Sequence, residues 1–380
     1  MMKHILCILV LFLIFVACMK TNNKAIINAE GQLVLNFESQ PLSMLFSDKI
    51  FGKVEMTLLE TTDDCLVGRH PELKLDEQHY FILDYQQQFI LRFERSGKFI
   101  NHIGRQGGGP GEYVDINDFD IDPEAKTVEI LTIDGLIMSY HYDGTFLSSR
   151  KIEGYPMSFI KTGDMYWCNL SPTPLAVDGR LIKVSGDGTV VEKHLPLKAE
   201  WPQFVNLSFS RSGVLISFRD FFSHTIYRIT DNEPAVTTVI DFGKYAIPSN
   251  VYSSDFRVSR EALYNKGYAD IWMYLENDRF IYLYFIIIQK GNDTGFYHWL
   301  INKNTGNSVL QKLLEDDLLV KMMEIEGAKI MTIDNELVFI VDASLLKDCT
   351  DPFFNSAKFN KKSLLDDSNP VIVTLTMNDF

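Results

Sequence analysis

The sequence predicts an all-β fold, a six-bladed β-propeller of four-stranded blades with one or two short helical insertions. Three observations carry this reading. A strand-and-turn grammar recurs along the chain with a period in the forties, and 27 Phe and 16 Tyr stand among 380 residues. One strand near each end also lacks a hairpin neighbour in sequence. Aromatic and β-branched residues favour strands. Four short strands repeating at this period make the pattern of a propeller blade. A pair of β-sandwiches is the alternative reading of so many short strands.

The first clear copy is HYFILDYQQQFILRFERSGKFINHIG, residues 79–104, a run of strands separated by turns. TVEILTIDGLIMSYHYDGTFLSSRKI, residues 127–152, repeats it, and the turn glycines Gly97 and Gly144 fall 47 positions apart. DMYWCNLSP and RLIKVSGDGTVVEKHL form a third copy with Gly188 at the turn. GVLISFRDFFSHTIYRITDNEPAVTTVI, residues 213–240, is a fourth, with Asp231 and Asn232 at the turn. DRFIYLYFIII with FYHWLINKNTGNSVLQKL is a fifth, turning at Gly306. NELVFIVDASL and NPVIVTLTM make the sixth. Two stretches read as insertions. Residues 259–275, SREALYNKGYADIWMYL, carry a Ser N-cap and place Leu263, Ile271 and Leu275 at helical spacing, so a helix is expected there. Residues 345–368 read as a second excursion, partly helical and broken at Pro352.

A ring of sheets has to close, because open blades would expose strand edges. KVEMTLLET, residues 53–61, and the terminal PVIVTLTM are the two unpartnered strands. Their pairing is the expected clasp, joining residues about 310 apart.

The N-terminus reads as a targeting segment. Lys3 and His4 precede ILCILVLFLIFVA, residues 5–17, an apolar run shorter than the roughly 18 residues that span a bilayer. The following step, FVAC ending at Cys18, resembles a bacterial lipoprotein signal in which the cysteine is acylated. The domain expectation is therefore residues 1–17 as signal peptide, 18–50 as tether and lead-in, and 51–380 as propeller. The remaining cysteines, Cys65, Cys168 and Cys349, have no metal-ligand spacing and are expected as buried free thiols. A formal net charge of −14 with pI about 5.0 argues against nucleic acid, whose binding rests on Lys and Arg.

The motifs point away from nucleotide and hydrolase chemistry. HIGRQGGGPGEY, residues 102–113, is glycine-rich, yet Gly111 leads into Glu112 and Tyr113 rather than Lys-Ser and a helix. It is expected to connect two blades, with Arg105 and Glu112 beside the mouth of the ring. DINDFDIDPE, residues 115–124, lacks the Gly and Glu of an EF-hand. Its alternation puts Phe119 and Ile121 on one face and Asp118, Asp120 and Asp122 on another, read as solvated. No G-x-S-x-G or H-E-x-x-H occurs. His79, His102, His141 and His194 fall in successive copies, a ring that would suit an axial metal only if all four pointed inward. No cofactor motif is readable. Aromatic clusters are the binding candidates: FRDFFSH with Arg219, Asp220 and Phe221, and YADIWMY with Trp272.

The segments MTLLETTDDCLVG, FERSGKFINHIGRQGGGPGEY, DFDID and NPVIVTLTM resemble the six-bladed β-propeller lipoproteins of Bacteroidota, whose repeats are similar to NHL repeats. The resemblance covers about Lys53 to the C-terminus. It implies a six-bladed ring and a lipidated envelope protein, with no catalytic motif to carry over. The expected role is a non-catalytic binding module on the outer membrane facing the periplasm. It would be anchored through Cys18 and would bind an envelope protein, a peptide or a glycan. The rival expectation is a metal-dependent NHL-like propeller enzyme of lyase or lactonase type.

Overall fold

The structure is a computed structural model. It describes residues 26–171, 178–196, 208–220, 222–230, 233–251, 257–258, 261, 265–288, 294–315, 317–323 and 329–380. The signal segment, Cys18, Phe221, Ser259, Leu263 and the Asp231–Asn232 turn lie outside the described residues.

The chain opens with strands β1 (Ile26–Ile27), β2 (Leu33–Asn36) and β3 (Phe51–Leu58). Blade one follows as β4 (Glu72–Leu75), β5 (His79–Asp84), β6 (Phe89–Glu94) and β7 (Phe99–Ile103). Blade two comprises β8 (Asp118–Asp122), β9 (Thr127–Leu131), β10 (Leu136–His141) and β11 (Phe146–Lys151). Blade three is β12 (Pro156–Thr162), β13 (Met165–Leu170), β14 (Leu181–Val184) and β15 (Val190–His194). Blade four is β16 (Phe209–Ser212), β17 (Leu215–Arg219), β18 (Thr225–Ile229) and β19 (Ala235–Asp241). Blade five is β20 (Ala269–Glu276), β21 (Phe280–Ile287), β22 (Gly295–Asn302) and β23 (Ser308–Leu314). Blade six takes β24 (Lys329–Met331), β25 (Glu336–Val341) and β26 (Val371–Met377). Each blade is an antiparallel sheet, and the first strand of each contacts its counterparts in the adjacent blades around the axis.

Closure occurs as the unpaired ends require. β3 supplies the fourth strand of blade six, antiparallel to β26, with Val371 opposite Leu58 and Thr374 opposite Glu55. Asn369, just before β26, locks the seam. Its Oδ1 accepts from the Val67 amide at 2.8 Å, and its Nδ2 donates to the carbonyls of Glu60 (2.6 Å) and Cys65 (2.7 Å). Further upstream, β2 runs parallel to β19 and widens blade four, pairing Val34 with Val239. Leu45 and Phe46 then bury themselves against blades five and six. Sequence pattern gave no warning of the β2 pairing, which joins residues about 205 apart with no turn signal between them.

The core is layered between the blades. Phe81, Leu83 and Ile90 of blade one pack on Phe119, Ile121 and Val128 of blade two, and equivalent clusters fill the other gaps. The equivalent turn glycines have a common cause. Gly97, Gly144 and Gly188 all sit at positive φ (89°, 88° and 95°). A Cβ there would lie 2.1, 2.8 and 2.4 Å from the carbonyl oxygens of Leu58, His102 and Lys151, at the end of the preceding blade's outer strand. The turn therefore needs both the left-handed conformation and the missing side chain.

Two sequence expectations are corrected. The helix expected over residues 259–275 gives way at Ala269 to strand β20, so Trp272 is on an innermost strand. A spacing of four, as between Ile271 and Leu275, suits one face of a helix or of a regular strand alike, but the register shift between Ile271 and Met273 turns the two to opposite faces of β20, Ile271 packing with Phe285 and Leu275 with Tyr284. Asp118 and Asp120 are not solvated; they are 4 % and 2 % exposed. The alternation is right, but the face opposite Phe119 meets the next blade instead of water. The second excursion is as expected: helices span Ala343–Asp348 and Pro352–Asn355, the latter with Pro352 in its first turn and Asp351 as N-cap. Cys65, Cys168 and Cys349 are buried free thiols. No helix among the described residues is long and apolar enough to cross a membrane.

Candidate functional site

Each innermost strand is an edge strand whose outward amides face the axis, and such edges demand partners. Blade two answers this with carboxylates. Asp118 Oδ2 accepts from the Phe159 amide at 2.8 Å, and Asp120 Oδ2 accepts from the Lys161 amide at 3.0 Å, both on β12 of the next blade. Asp120 also pairs with Arg211 of β16 at 3.1 Å, reaching across to blade four. Lys161 lies 3.3 Å from Asp122 and 3.2 Å from Glu129. A continuous charged network thus ties blades two, three and four together near the axis.

Inside this lining lies an axial cavity of about 110 Å³. Glu72 and Lys74 enter from β4, Asp120 from β8, Arg211 from β16, Arg219 from β17, Trp272 from β20 and Lys329 from β24. The Lys74 ammonium sits 3.2 Å from Glu72. Burial disfavours its charge, but Glu72, Asp118 and Asp120 outweigh that and hold its pKa above the usual lysine value. Burial and the neighbouring Glu72 push the Asp118 carboxyl well above the ordinary range, with Lys74 opposing. Glu72 also accepts from the Tyr85 hydroxyl at 2.5 Å. Lys329 lies over the Tyr284 ring, 5.1 Å from its centroid.

The residues singled out from sequence scatter. Arg219 and Trp272 come together: Arg219 Nη2 donates to the Trp272 carbonyl at 3.3 Å, and both line the cavity. Asp220 instead holds Arg180 at 2.5 Å, with Arg180 also on Asn169 at 3.1 Å, a buried link between blades four and three. Arg105 and Glu112 pair loosely at 3.5 Å on the rim of blade two. There Glu112 Oε2 accepts from the Gly109 amide at 2.9 Å. The Gly107 amide donates to the Tyr113 carbonyl, and Tyr113 is buried against Tyr140. The glycine-rich segment is thus a self-bonded connector from β7 to β8. The four histidines sit on second, third and fourth strands, β5, β7, β10 and β15, so they form no axial ring. Among the described residues no three His, Cys, Asp or Glu side chains gather to hold a metal.

Sequence reasoning missed Glu72, Lys74, Arg211 and Lys329. Their one signal is position, since each lies on the first short strand of a copy, where polar residues interrupt an apolar run.

Strand alternation also assigns the connections to two faces. The links between first and second strands and between third and fourth strands are all five residues or fewer, as in 163–164 and 185–189. The longer connections within and between blades, including 59–71, 104–117, 195–208, 242–268, 315–328 and 342–370, begin and end on the other face, and the lead-in 37–50 passes from that face at the end of β2 to the opposite one at the start of β3.

Comparison with known proteins places this arrangement. The chain is similar to the "Putative exported protein" of Bacteroides fragilis NCTC 9343, with 19 % identity over 91 % of this chain and 100 % of that one and a TM-score of 0.70. It is also similar in fold to a member of the duf4221 family from Bacteroides vulgatus ATCC 8482, with 8 % identity over 86 % of this chain and 97 % of that one and a TM-score of 0.53. No curated protein matches the sequence. The family model described as "Domain of unknown function (DUF4934)" matches residues 32–376, the strand of blade four contributed by the N-terminal segment included, and the chain belongs to that family.

Proposed function

We propose that the chain is an exported propeller of the bacterial envelope, lipid-anchored at Cys18, that works as a non-catalytic binding module. One observation carries this reading: apart from the lead-in 37–50, which crosses between the faces, all connections longer than five residues begin and end on a single face of the ring. Rigid scaffolds commonly present their binding loops in this way. The adjoining connections of that face also expose Val114 (68 %), Ile133 (61 %) and Tyr155 (57 %). The signal-like N-terminus and the exported Bacteroides neighbour support the envelope location. NHL-like repeats, which the sequence resemblance implies, would suit a six-bladed ring of this kind.

The test is affinity capture from gently solubilised native envelope, with Cys18→Ala and a Val114→Lys/Ile133→Lys double variant alongside. The expected result is a stoichiometric partner held by the unmodified protein and reduced severalfold by the double variant. A preparation that retains no partner, or holds it equally after the double substitution, would overturn the reading. Loss of radiolabelled fatty acid in Cys18→Ala checks the anchor.

A further inference from the structure

The loop-rich face carries one continuous apolar arc. Leu66, 41 % exposed, belongs to the connection 59–71, and its carbonyl accepts from Gln87 Nε2 at 3.0 Å. The next residue, Gln88, accepts from the Ile116 amide of the connection 104–117 through its Oε1. Val114 lies two residues before Ile116, and Asp115 between them accepts from the Ile133 amide at 2.6 Å. Asn117 donates to the carbonyls of Pro156 (3.3 Å) and Met157 (2.9 Å), which brings Tyr155 to the end of the row. Four exposed side chains are thus strung along one path from the entry of blade one to the entry of blade three.

Tyr155 is the most telling member. Its φ of 56° lies in the left-handed region, which a bulky side chain enters only under strain. Its carbonyl accepts from the Ser171 amide at 3.1 Å, so that strained backbone is fixed to blade three. Among the described residues its ring meets no other ring and its hydroxyl makes no hydrogen bond within the chain. A rigidly held, exposed tyrosine is the residue type that anchors interfaces, because little entropy is lost when it is covered.

The charges around the arc are acidic once their own partners are counted. Arg105 pairs with Glu112, and Lys151 with Asp134. Glu60 and Asp115 accept from the backbone amides of Phe99 and Ile133. Asp63, Asp64 and Glu153 are exposed with no side-chain partner among the described residues. Arg69 is the one such cation in the connections 59–71, 104–117, 132–135 and 152–155.

Area and chemistry select the occupant. The exposed apolar area of the arc is on the order of 400 Å², about half the roughly 800 Å² that each partner buries in a stable interface. A second copy of the chain needs more, whereas a short extended segment fits. Three of the four side chains are aliphatic and give a sugar's hydroxyl groups nothing to bond. We infer that the arc binds a short extended segment of a partner protein. Its apolar side chains lie on Leu66, Val114, Ile133 and Tyr155, and its lysines or arginines face Asp63, Asp64 and Glu153. This deepens the binding-module reading and rests on it.

The test is photo-crosslinking in native envelope, with p-benzoylphenylalanine in place of Ile133. The same group in place of Val214, 92 % exposed on the opposite face, is the control. The expected result is one crosslinked segment of another protein, apolar, with Lys and Arg outnumbering Asp and Glu, and absent from the control. A crosslink to a second copy, a glycan or a lipid, to an acidic segment, or to nothing would overturn the inference. Tyr155→Gly in the same background should cut the crosslink yield about tenfold. It should not lower Tm, since glycine accepts the left-handed backbone without strain. An undiminished yield, or a Tm that falls by several degrees, would assign Tyr155 to the fold and sink the proposal. Asp63→Asn/Asp64→Asn should reduce the yield severalfold at low salt and little at high salt. Equal yields with and without these two charges at low salt would overturn the basic segment. Affinity capture of a partner with no crosslink from position 133 sinks the arc and leaves the module standing, whereas failure of both sinks the module too.

Discussion

Replacing Asn369 by alanine tests how the ring is held closed. The side chain is 2 % exposed and makes three hydrogen bonds of 2.6 to 2.8 Å to the segment that follows β3. Those bonds span 302 to 309 residues of sequence, so no local structure replaces them. Losing three buried bonds at about 1 kcal/mol each predicts a loss of about 3 kcal/mol, and more if the orphaned Val67 amide finds no water. Unfolding entropy of about 2 cal/mol/K per residue over this length converts that to a fall in Tm of about 4 to 5 °C. Calorimetry or a circular-dichroism melt would measure it. Asn369→Asp sharpens the test. It keeps the shape and the acceptor but turns the amide donor into a carboxylate oxygen facing two carbonyls, so it should destabilise at least as much as alanine. A shift below about 1 °C for Asn369→Ala, or an aspartate variant more stable than the alanine one, would refute the clasp.

His298 predicts a pH dependence. It is fully buried, its Nδ1 bonded to Tyr282 at 2.7 Å, and burial together with the nearby Lys329 charge pushes its pKa down to about 3. The unfolded chain takes up that proton near pH 6.5, so His298 contributes stability that is complete above 6.5 and is lost as pH falls toward 3. Urea unfolding between those values should show a slope reduced by about 1.4 kcal/mol per pH unit in His298→Phe, and an unchanged slope would count against it. Asp220→Ala should cost about 3 to 5 kcal/mol by leaving Arg180 buried beside an empty position.

Much of the fold is written locally. The turn glycines, the period of the copies and the apolar runs are properties of short segments. Propeller blades are hairpins joined in order, and so they can be read in sequence. The clasp was legible because both its strands lacked near neighbours. Where one spacing satisfies two periods, as Ile271 and Leu275 do, sequence could not separate helix from strand, and only the pairing of β20 with β21 settled it.

What the sequence by itself determined, then, is the number and grammar of the blades, their closure and the structural role of the glycine connector. Tertiary structure alone decided which polar residues face the axis. Alternation shows that Asp118 and Asp120 lie opposite Phe119, but not whether water or another blade covers them. It brought Arg211 to Asp120 across 91 residues, and gathered Lys74, Arg219, Trp272 and Lys329 from four blades around one cavity. Such a site has no sequence signature, because its members share a place in the ring instead of a spacing along the chain.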